Sequence, residues 1–574
     1  MKYCADFETT TDVNDCRVWA FSLCTITDDF ETFVGTSIDE MFSIVGTSNN
    51  TLYFHNLKFD GEYLLYWLFN NGYKHVDDKK ELTEKTFTTL ISDGGTWYTM
   101  KICHRIKGKN KICTTIIDSL KILNFSVEQI AKAFNLPISK LEINYKKYRA
   151  PGYQLDETEK AYVINDVKIV AMALLILFKQ GMNKITQGSN AMADYKAIIG
   201  KYKFRDYFPL ILPEVDKDIR QAYKGGFTYL SDRFKGKIIG RGIVLDVNSL
   251  YPSCMYYKPL PYGPPLGFKG EYKPIASHPL YIQMLSCQFK LKKKHIPTIQ
   301  LKHTLSFNQN EYLTSSKGEC VTLCLTSVDL ELFFNHYDVW DVTYIGGYAF
   351  MQKIGLFKEY IDKWMEIKKQ STIEGNSGMR TLAKLMLNAL YGKFGLRNQV
   401  GNKIPYMNED GLVKYKNSPL HDREPVYIPM ACFITAWARY TTISAAQSVY
   451  DRFVYADTDS LHLTGTELPQ NLEIDKTKLG AWDHELTFDK AKFLRQKTYM
   501  EFPAGEYRKA YEKKSPKMFN ECNGWKITCS GMPSSCYKYV TIDNFKEKSS
   551  YAGKLMSTRV KGGVVLVDKE FTIR

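Results

Sequence analysis

The sequence predicts an α/β protein of several domains, and three observations carry that prediction. At 574 residues the chain exceeds what one hydrophobic core can serve, so two to four domains are expected. Hydrophobic residues make up 44%, in line with folded domains rather than disorder. Over the first ~185 residues, short β-prone runs alternate with stretches of helical periodicity.

In chain order, strands are expected over Lys2–Phe7 and Thr51–His55, followed by a helix from Gly61 to Phe69. A long helix is expected from Asp156 to Gln180, with Asp156 as N-cap and Glu159 three residues on, a capping-box variant. Its apolar run, Ile169 to Phe178, has lysine on both sides and is too short to span a bilayer, so it reads as a buried helix. Ile243–Asp246 reads as a strand. The Pro- and Gly-rich run from Tyr257 to Tyr272 marks a departure into another unit, strand-leaning to about Ala349. Helical periodicity returns from Leu356 to Tyr391, broken near Gly375. Lys403 to Tyr415 is a hairpin candidate with Asp410-Gly411 at its turn. A helix is expected from about Ala431 to Tyr450, and the last fifty residues as short strands and turns. No internal repeat or low-complexity tract stands out.

The formal net charge of +15 favours a polyanionic partner. Abundant Tyr (39) and Phe (32) among the basic residues suit base stacking beside phosphate neutralisation. Thirteen scattered cysteines, with no Cys-x-x-Cys pair, read as reduced thiols. Asp6, Glu8 and Asp12 argue against a signal peptide, and no membrane partner is expected.

Phe453 to Leu463 places Asp457 and Asp459 at the bend between two β-prone runs. Carboxylates crowded at a hairpin tip repel unless a cation sits there, and a hard divalent ion suits oxygen ligands; a plain acidic surface turn is the competing reading. Asp246 ends an apolar strand and needs a partner of its own. A second acidic set lies near the N-terminus. Asp6 and Glu8 share a strand face, Asp60 follows a strand, and Tyr162 and Asp166 share a helix face. Four carboxylates and a phenol suit two-metal phosphodiester chemistry, with Tyr162 orienting a water. On a helix of about 100° per residue, Lys384, Asn388 and Tyr391 fall within roughly 60° of one another, a face suited to phosphate and base. Gly225-Gly226 lacks the spacing of a phosphate-binding loop.

Taken in order, these motifs resemble those of the protein-primed family B DNA polymerases of the phi-29 type. Asp-Phe-Glu (6–8), Asn-Leu-Lys-Phe-Asp (56–60) and Tyr-x-x-x-Asp (162–166) are similar to that family's exonuclease motifs. Tyr-Lys-Gly-Gly (223–226) resembles its linker motif. Asp-Val-Asn-Ser-Leu-Tyr-Pro (246–252), Lys384 to Gly392, Thr435-x-x-Ala-Arg439, Tyr-Ala-Asp-Thr-Asp-Ser (455–460) and Lys-Thr-Tyr (497–499) resemble its polymerase motifs.

The resemblance implies an RNase H-like 3′–5′ exonuclease (1–186) followed by a right-hand polymerase. Its parts would be palm (187–257 and 429–527), fingers (356–395) and thumb (528–574), with two terminal-protein-region insertions at 258–355 and 396–428. Asp246, Asp457 and the Val247 carbonyl would hold Mg²⁺, two ions per active site with Mn²⁺ able to substitute, and Asp459 would support them. Asp6, Glu8 and Asp166 would hold metal in the exonuclease, alongside Asp60, Tyr162 and Lys147 as the auxiliary lysine. Tyr251, Lys368, Lys384, Asn388 and Tyr391 would bind nucleotide. His55, Asn56, Phe59, Ser119, Leu120, Tyr223, Gly225, Gly226, Thr435, Arg439, Lys497 and Tyr499 would contact DNA. Implied partners are primer-template and single-stranded DNA, deoxynucleoside triphosphates and a terminal protein, with the chain a monomer or paired with that protein in the cytoplasm of a bacterial host. Pro503 to Trp525 departs from the family pattern. A reverse transcriptase fits less well, because Thr458 separates the aspartates and an exonuclease set is present. A primer-independent relative of an integrated element and a non-catalytic DNA-binding scaffold are the other readings.

Overall fold

A computed structural model describes residues 1–574 except 146, 302–310 and 425. The N-terminal unit is an eight-stranded mixed sheet. Its Lys2–Thr9 strand pairs antiparallel with Val18–Thr25 and parallel with Asn50–Phe54, which in turn runs parallel to Asn110–Asp118. The helix Glu157–Lys179 packs across this sheet, and its capping box is complete. The Glu159 amide donates to Asp156 Oδ1 at 2.8 Å, and the Asp156 amide donates back to Glu159 Oε2 at 3.2 Å. By length and hydropathy this helix could cross a membrane, but Val167, Ile169, Val170, Leu174 and Leu177 are buried in a core shared with other elements of the protein.

Leu57–Asn70 is helical from just after Asn56, which has φ 75°, so Asp60 lies in a first helical turn rather than ahead of the helix. The strand Gly242–Val247 sits in the middle of a second, largely antiparallel sheet, between Ser460–Thr464 and Trp482–Arg495. The helix Ile428–Ser448 packs against it. The Pro-rich departure leads into a four-stranded insert sheet, ordered Leu260–Lys269, Tyr337–Lys353, Leu280–Leu291 and Val321–Thr326. Helices Lys358–Ile373 and Ser377–Ala389 pack together, joined at Gly375 with φ 68°, a conformation that favours glycine. The hairpin Lys403–Met407/Val413–Asn417 turns through Gly411, also at positive φ. Residues 505–521, where the family pattern lapses, form two short helices.

The expectation for the C-terminal region fails in part. The last fifty residues do hold a short strand at Lys526–Cys529 and a 3-10 turn at Ser534–Tyr539, but Ser550–Val560 and Gly563–Thr572 make one long hairpin in place of short strands. Much of its first strand is exposed, so burial imposes no regular alternation on the sequence.

Candidate active sites

The N-terminal acids converge. Asp6 and Glu8 stand on one face of the Lys2–Thr9 strand, and with Tyr162 and Asp166 they line a cavity of about 990 Å³. Asp60 is buried close behind, near enough to Asp6 and Glu8 to feel both charges. Burial, then repulsion by Asp166, pushes Asp6 up to about 7. Burial and the charge of Asp6 also raise Glu8 and Asp60, and burial raises Asp166. Asp60 Oδ1 and Asp166 Oδ1 are buried without a hydrogen-bond partner. Buried oxygens that repel one another and lack donors suit a divalent cation.

Sequence reasoning missed the cation that is present. Lys140 Nζ lies 2.6 Å from Asp166 Oδ2. Lys147 is a correction: it contacts Glu159 at 3.1 Å and the Tyr153 hydroxyl at 2.6 Å, away from the acids. Both lysines lie in an irregular stretch where spacing carries no facing information. Tyr145, also missed, places its hydroxyl 2.5 Å from that of Tyr162. His55, Asn56 and Phe59 line the same cavity. Ser119 is fully buried, donating to the Phe54 carbonyl at 3.1 Å and holding His55 Nδ1 at 3.1 Å, so it orients His55 rather than meeting DNA. The backbone amides of Asn56 and Leu120 both donate to Asp118 Oδ1.

The second site is built by register. Asp246 and Asp457 lie on strands either side of Ser460–Thr464, and both take Ser460 as their cross-strand partner. Thr458, at φ 65°, turns the hairpin tightly enough for the Asp459 amide to donate to the Asp457 carbonyl at 2.8 Å. The Val247 amide donates to the Asp459 carbonyl at 2.8 Å, tying turn to strand. Burial, then the charges of Asp459, Glu485 and Asp483, pushes Asp246 up to about 7; burial also raises Asp459. Asp457 is met by Lys497 Nζ at 2.9 and 3.1 Å and by the Tyr455 hydroxyl at 3.2 Å. Tyr499 stacks on Phe493 in the aromatic cluster around Tyr455. Among the described residues no three acidic, histidine or cysteine groups are gathered as a ready metal cage.

The linker motif reaches this turn. The Thr458 amide donates to the Phe227 carbonyl at 2.7 Å, and a Cβ on Gly226 would fall 2.7 Å from the Thr458 side chain and 3.0 Å from the Tyr251 hydroxyl. Gly226 is there because nothing larger fits. Tyr251 stacks on Tyr391, ring centroids 4.0 Å apart at 18°. Lys384 and Asn388 are exposed on the Ser377–Ala389 helix. Arg380, one turn before Lys384, escaped the sequence reading although its i,i+4 spacing put it on that face. Burial, then Arg380, lowers both Lys368 and Lys384, and no carboxylate offsets either charge among the described residues.

Thr435 and Arg439 are corrections as direct DNA contacts. Thr435 is buried and donates to carbonyls of its own helix. Arg439 is buried, bidentate to Asp329 at 2.9 and 2.7 Å, and donates to the carbonyls of Lys224 and Gly225 at 2.9 and 2.8 Å. It braces the linker loop carrying Tyr223 and Gly225, and its donors are spent on protein.

An acidic pair registered across an antiparallel sheet, together with Lys368, Arg380 and Lys384 on two packed helices, fits a nucleic-acid polymerase of the right-hand class. Comparison with known proteins narrows the class. Residues 43–477 match the family of type B DNA polymerases, organellar and viral. The DNA polymerase of Bacillus phage phi29 is 48% identical across the whole chain and 99% of its own length. That of Streptococcus phage Cp-1 is 32% identical, over the whole chain and 98% of its length. A crystal form of the phi29 enzyme superposes over all of both chains with a TM-score of 0.93 at 46% identity. Its complex with primer-template DNA and incoming nucleotides matches at 0.91 and 47%, again over all of both chains. The chain belongs to the organellar and viral type B DNA polymerases, in the phi29-type group, and is a DNA-dependent DNA polymerase; divalent-cation dependence goes with that class.

Proposed function

We propose that this polymerase copies a linear phage genome by protein-primed, processive, strand-displacing synthesis, and that its N-terminal acidic cavity proofreads as a 3′–5′ exonuclease. The carrying observation is that both predicted acidic sets assemble, at separate sites, in a chain nearly half identical to the phi29 enzyme. Residues 1–186 act as exonuclease, 187–257 and 429–527 as palm, 258–355 as first insertion, 356–395 as fingers, 396–428 as second insertion and 528–574 as thumb. Of the first insertion, residues 302–310 lie outside the described part.

In synthesis, Asp246, Asp457 and the Val247 carbonyl would hold Mg²⁺, two ions per site with Mn²⁺ as substitute, with Asp459 in support. The ions would supply charge stabilisation for phosphoryl transfer. Lys368, Arg380 and Lys384 neutralise the triphosphate of the incoming nucleotide, while Asn388 and Tyr391 face its base and Tyr251 excludes a 2′-hydroxyl. Lys497 and Tyr499 lie toward the primer terminus. In excision, Asp6, Glu8 and Asp166 would hold the ions, with Asp60 in support. Tyr162, held by Tyr145, orients the water, Lys140 balances the acids, and His55, Asn56 and Phe59 guide the single strand. The hairpin over Lys403 to Tyr415 closes around DNA, raising processivity by slowing dissociation.

The partners are primer-template and single-stranded DNA, deoxynucleoside triphosphates and a terminal protein, the chain acting as a monomer or paired with that protein in a bacterial cytoplasm. The test is nucleotide incorporation on a linear template with and without the cognate terminal protein. Protein-linked product only when it is added supports the reading; equal synthesis without any primer favours the primer-independent relative.

A further inference from the structure

The helix Leu57–Asn70 has a second task. Its first turn carries Phe59 to the acidic cavity and Asp60 behind it, while Glu62 and Tyr63 meet two hairpins distant in sequence. The Tyr63 hydroxyl donates to the Val564 carbonyl, and Gly563 lies so close to the Tyr63 ring that a Cβ would fall 2.6 Å from it. Arg559, on the long C-terminal hairpin, reaches Glu62 Oε1 with Nε at 3.2 Å and Nη2 at 2.9 Å. Its guanidinium carbon stands 4.8 Å over the ring of Tyr415, from the 403–417 hairpin, and Tyr415 meets Trp97 edge-on at 6.4 Å. Val413, Val564 and Val565 are buried in one core with Phe7, Leu64 and Leu65.

The charge at this junction is informative. The Glu62 side chain is 5% exposed, and its Oε2 and the Tyr415 hydroxyl are both buried without a hydrogen-bond partner. The Arg559 side chain is 42% exposed, so only the carboxylate end of the pair is desolvated, and a desolvated charge is a poor way to gain stability, since apolar residues of similar volume often serve as well or better. What it adds is specificity: Arg559 supplies both hydrogen bonds to Oε1, so undocking leaves the buried carboxylate with neither of them.

We propose that Glu62 and Arg559, with Tyr415 under the guanidinium, are positioning residues for processive synthesis: they latch the thumb hairpin and the insertion hairpin to the exonuclease unit and keep DNA enclosed. This rests on reading the 403–417 hairpin as the enclosing element.

The test compares Arg559→Gln, Glu62→Gln, their double, Arg559→Lys, and a chain with residues 403–415 replaced by a short Gly-Ser link. Product length is read in a single binding encounter with a heparin trap, alongside kcat and KM for single-nucleotide addition. The expected result is products at least fivefold shorter for each Gln variant, with single addition within about twofold. The double should be no worse than the poorer single, the mark of one shared interaction, and Arg559→Lys should recover most of the length. Unchanged product length in Arg559→Gln, while the Gly-Ser replacement shortens products, overturns the latch. Loss of single addition in step with length, in Arg559→Lys as well, makes the pair merely structural and also overturns it. Full-length products from the replacement itself would refute the enclosing reading beneath it.

Discussion

The ammonium of Lys497 rests 2.9 Å from Oδ1 and 3.1 Å from Oδ2 of Asp457, on the same oxygens a divalent cation would claim. Metal and lysine therefore compete for one carboxylate. Replacing Lys497 with Met should lower the Mg²⁺ concentration for half-maximal synthesis severalfold, even if kcat falls. A Mg²⁺ titration of incorporation on primed DNA checks this; an unmoved midpoint would mean that the ammonium yields without competition.

Excision and synthesis should separate by mutation, because the two acid sets occupy different sheets. Asp6→Ala with Glu8→Ala should abolish removal of a mismatched 3′ end and leave polymerisation on primed DNA largely intact. Lys140→Ala should depress excision by about tenfold or more, since it leaves Asp166 with an unpartnered carboxylate. Lys147→Ala should cost far less. Equal losses from the two lysine variants would contradict the placement of Lys140.

Tyr251 stacks flat on Tyr391 with its hydroxyl beside Gly226, so removing its ring opens space next to the linker turn. Tyr251→Val should relax discrimination against ribonucleotides by about 100-fold, on the order of 3 kcal/mol in kcat/KM. Steady-state comparison of dCTP and CTP incorporation measures it. An active variant that still rejects ribonucleotides would remove Tyr251 from the sugar pocket.

Asp6 and Asp246 are each pushed up to about 7, chiefly by burial, then by Asp166 and Asp459 respectively. Both values lie above the ordinary carboxylate value of about 4. The metal-free fold therefore keeps protons that the unfolded chain has released. The resulting stability is complete below about pH 4 and is lost as pH rises through about 7. A divalent cation must displace those protons, so it should bind more tightly at pH 8 than at pH 6. Melting curves across that window should show Tm falling with pH in chelator and the Mg²⁺-induced rise growing. Asp6→Asn combined with Asp246→Asn should flatten both trends, and a Mg²⁺ effect equal at all pH values would contradict them.

What was legible in the sequence was local. The Asp156 and Glu159 capping pair, the break at Gly375 and the Asp410-Gly411 turn each obey rules that act over a few residues, and all three hold in the fold. The acids were legible because a carboxylate on an apolar strand demands a partner. Lys140 was not, since nothing in an irregular stretch says which lysine turns inward. Arg439 was misjudged for the opposite reason. Its motif was recognised, but only the insert helix Ser327–His336, which brings Asp329 to it, reveals that its charge is spent inside the protein. The long C-terminal hairpin went unseen because its order comes from docking onto residues hundreds of positions earlier.

That docking has a consequence for biosynthesis. Val564 and Val565 are buried in the core of the N-terminal sheet, and Tyr63 bonds a carbonyl 501 positions further on. At roughly 5–20 residues per second, a ribosome needs about 25–100 s to travel between them. Through that interval the nascent N-terminal unit lacks part of its own interior and shows apolar surface to the cell. Shielding by a chaperone, or a temperature low enough to slow aggregation, should therefore govern how much active enzyme a host recovers.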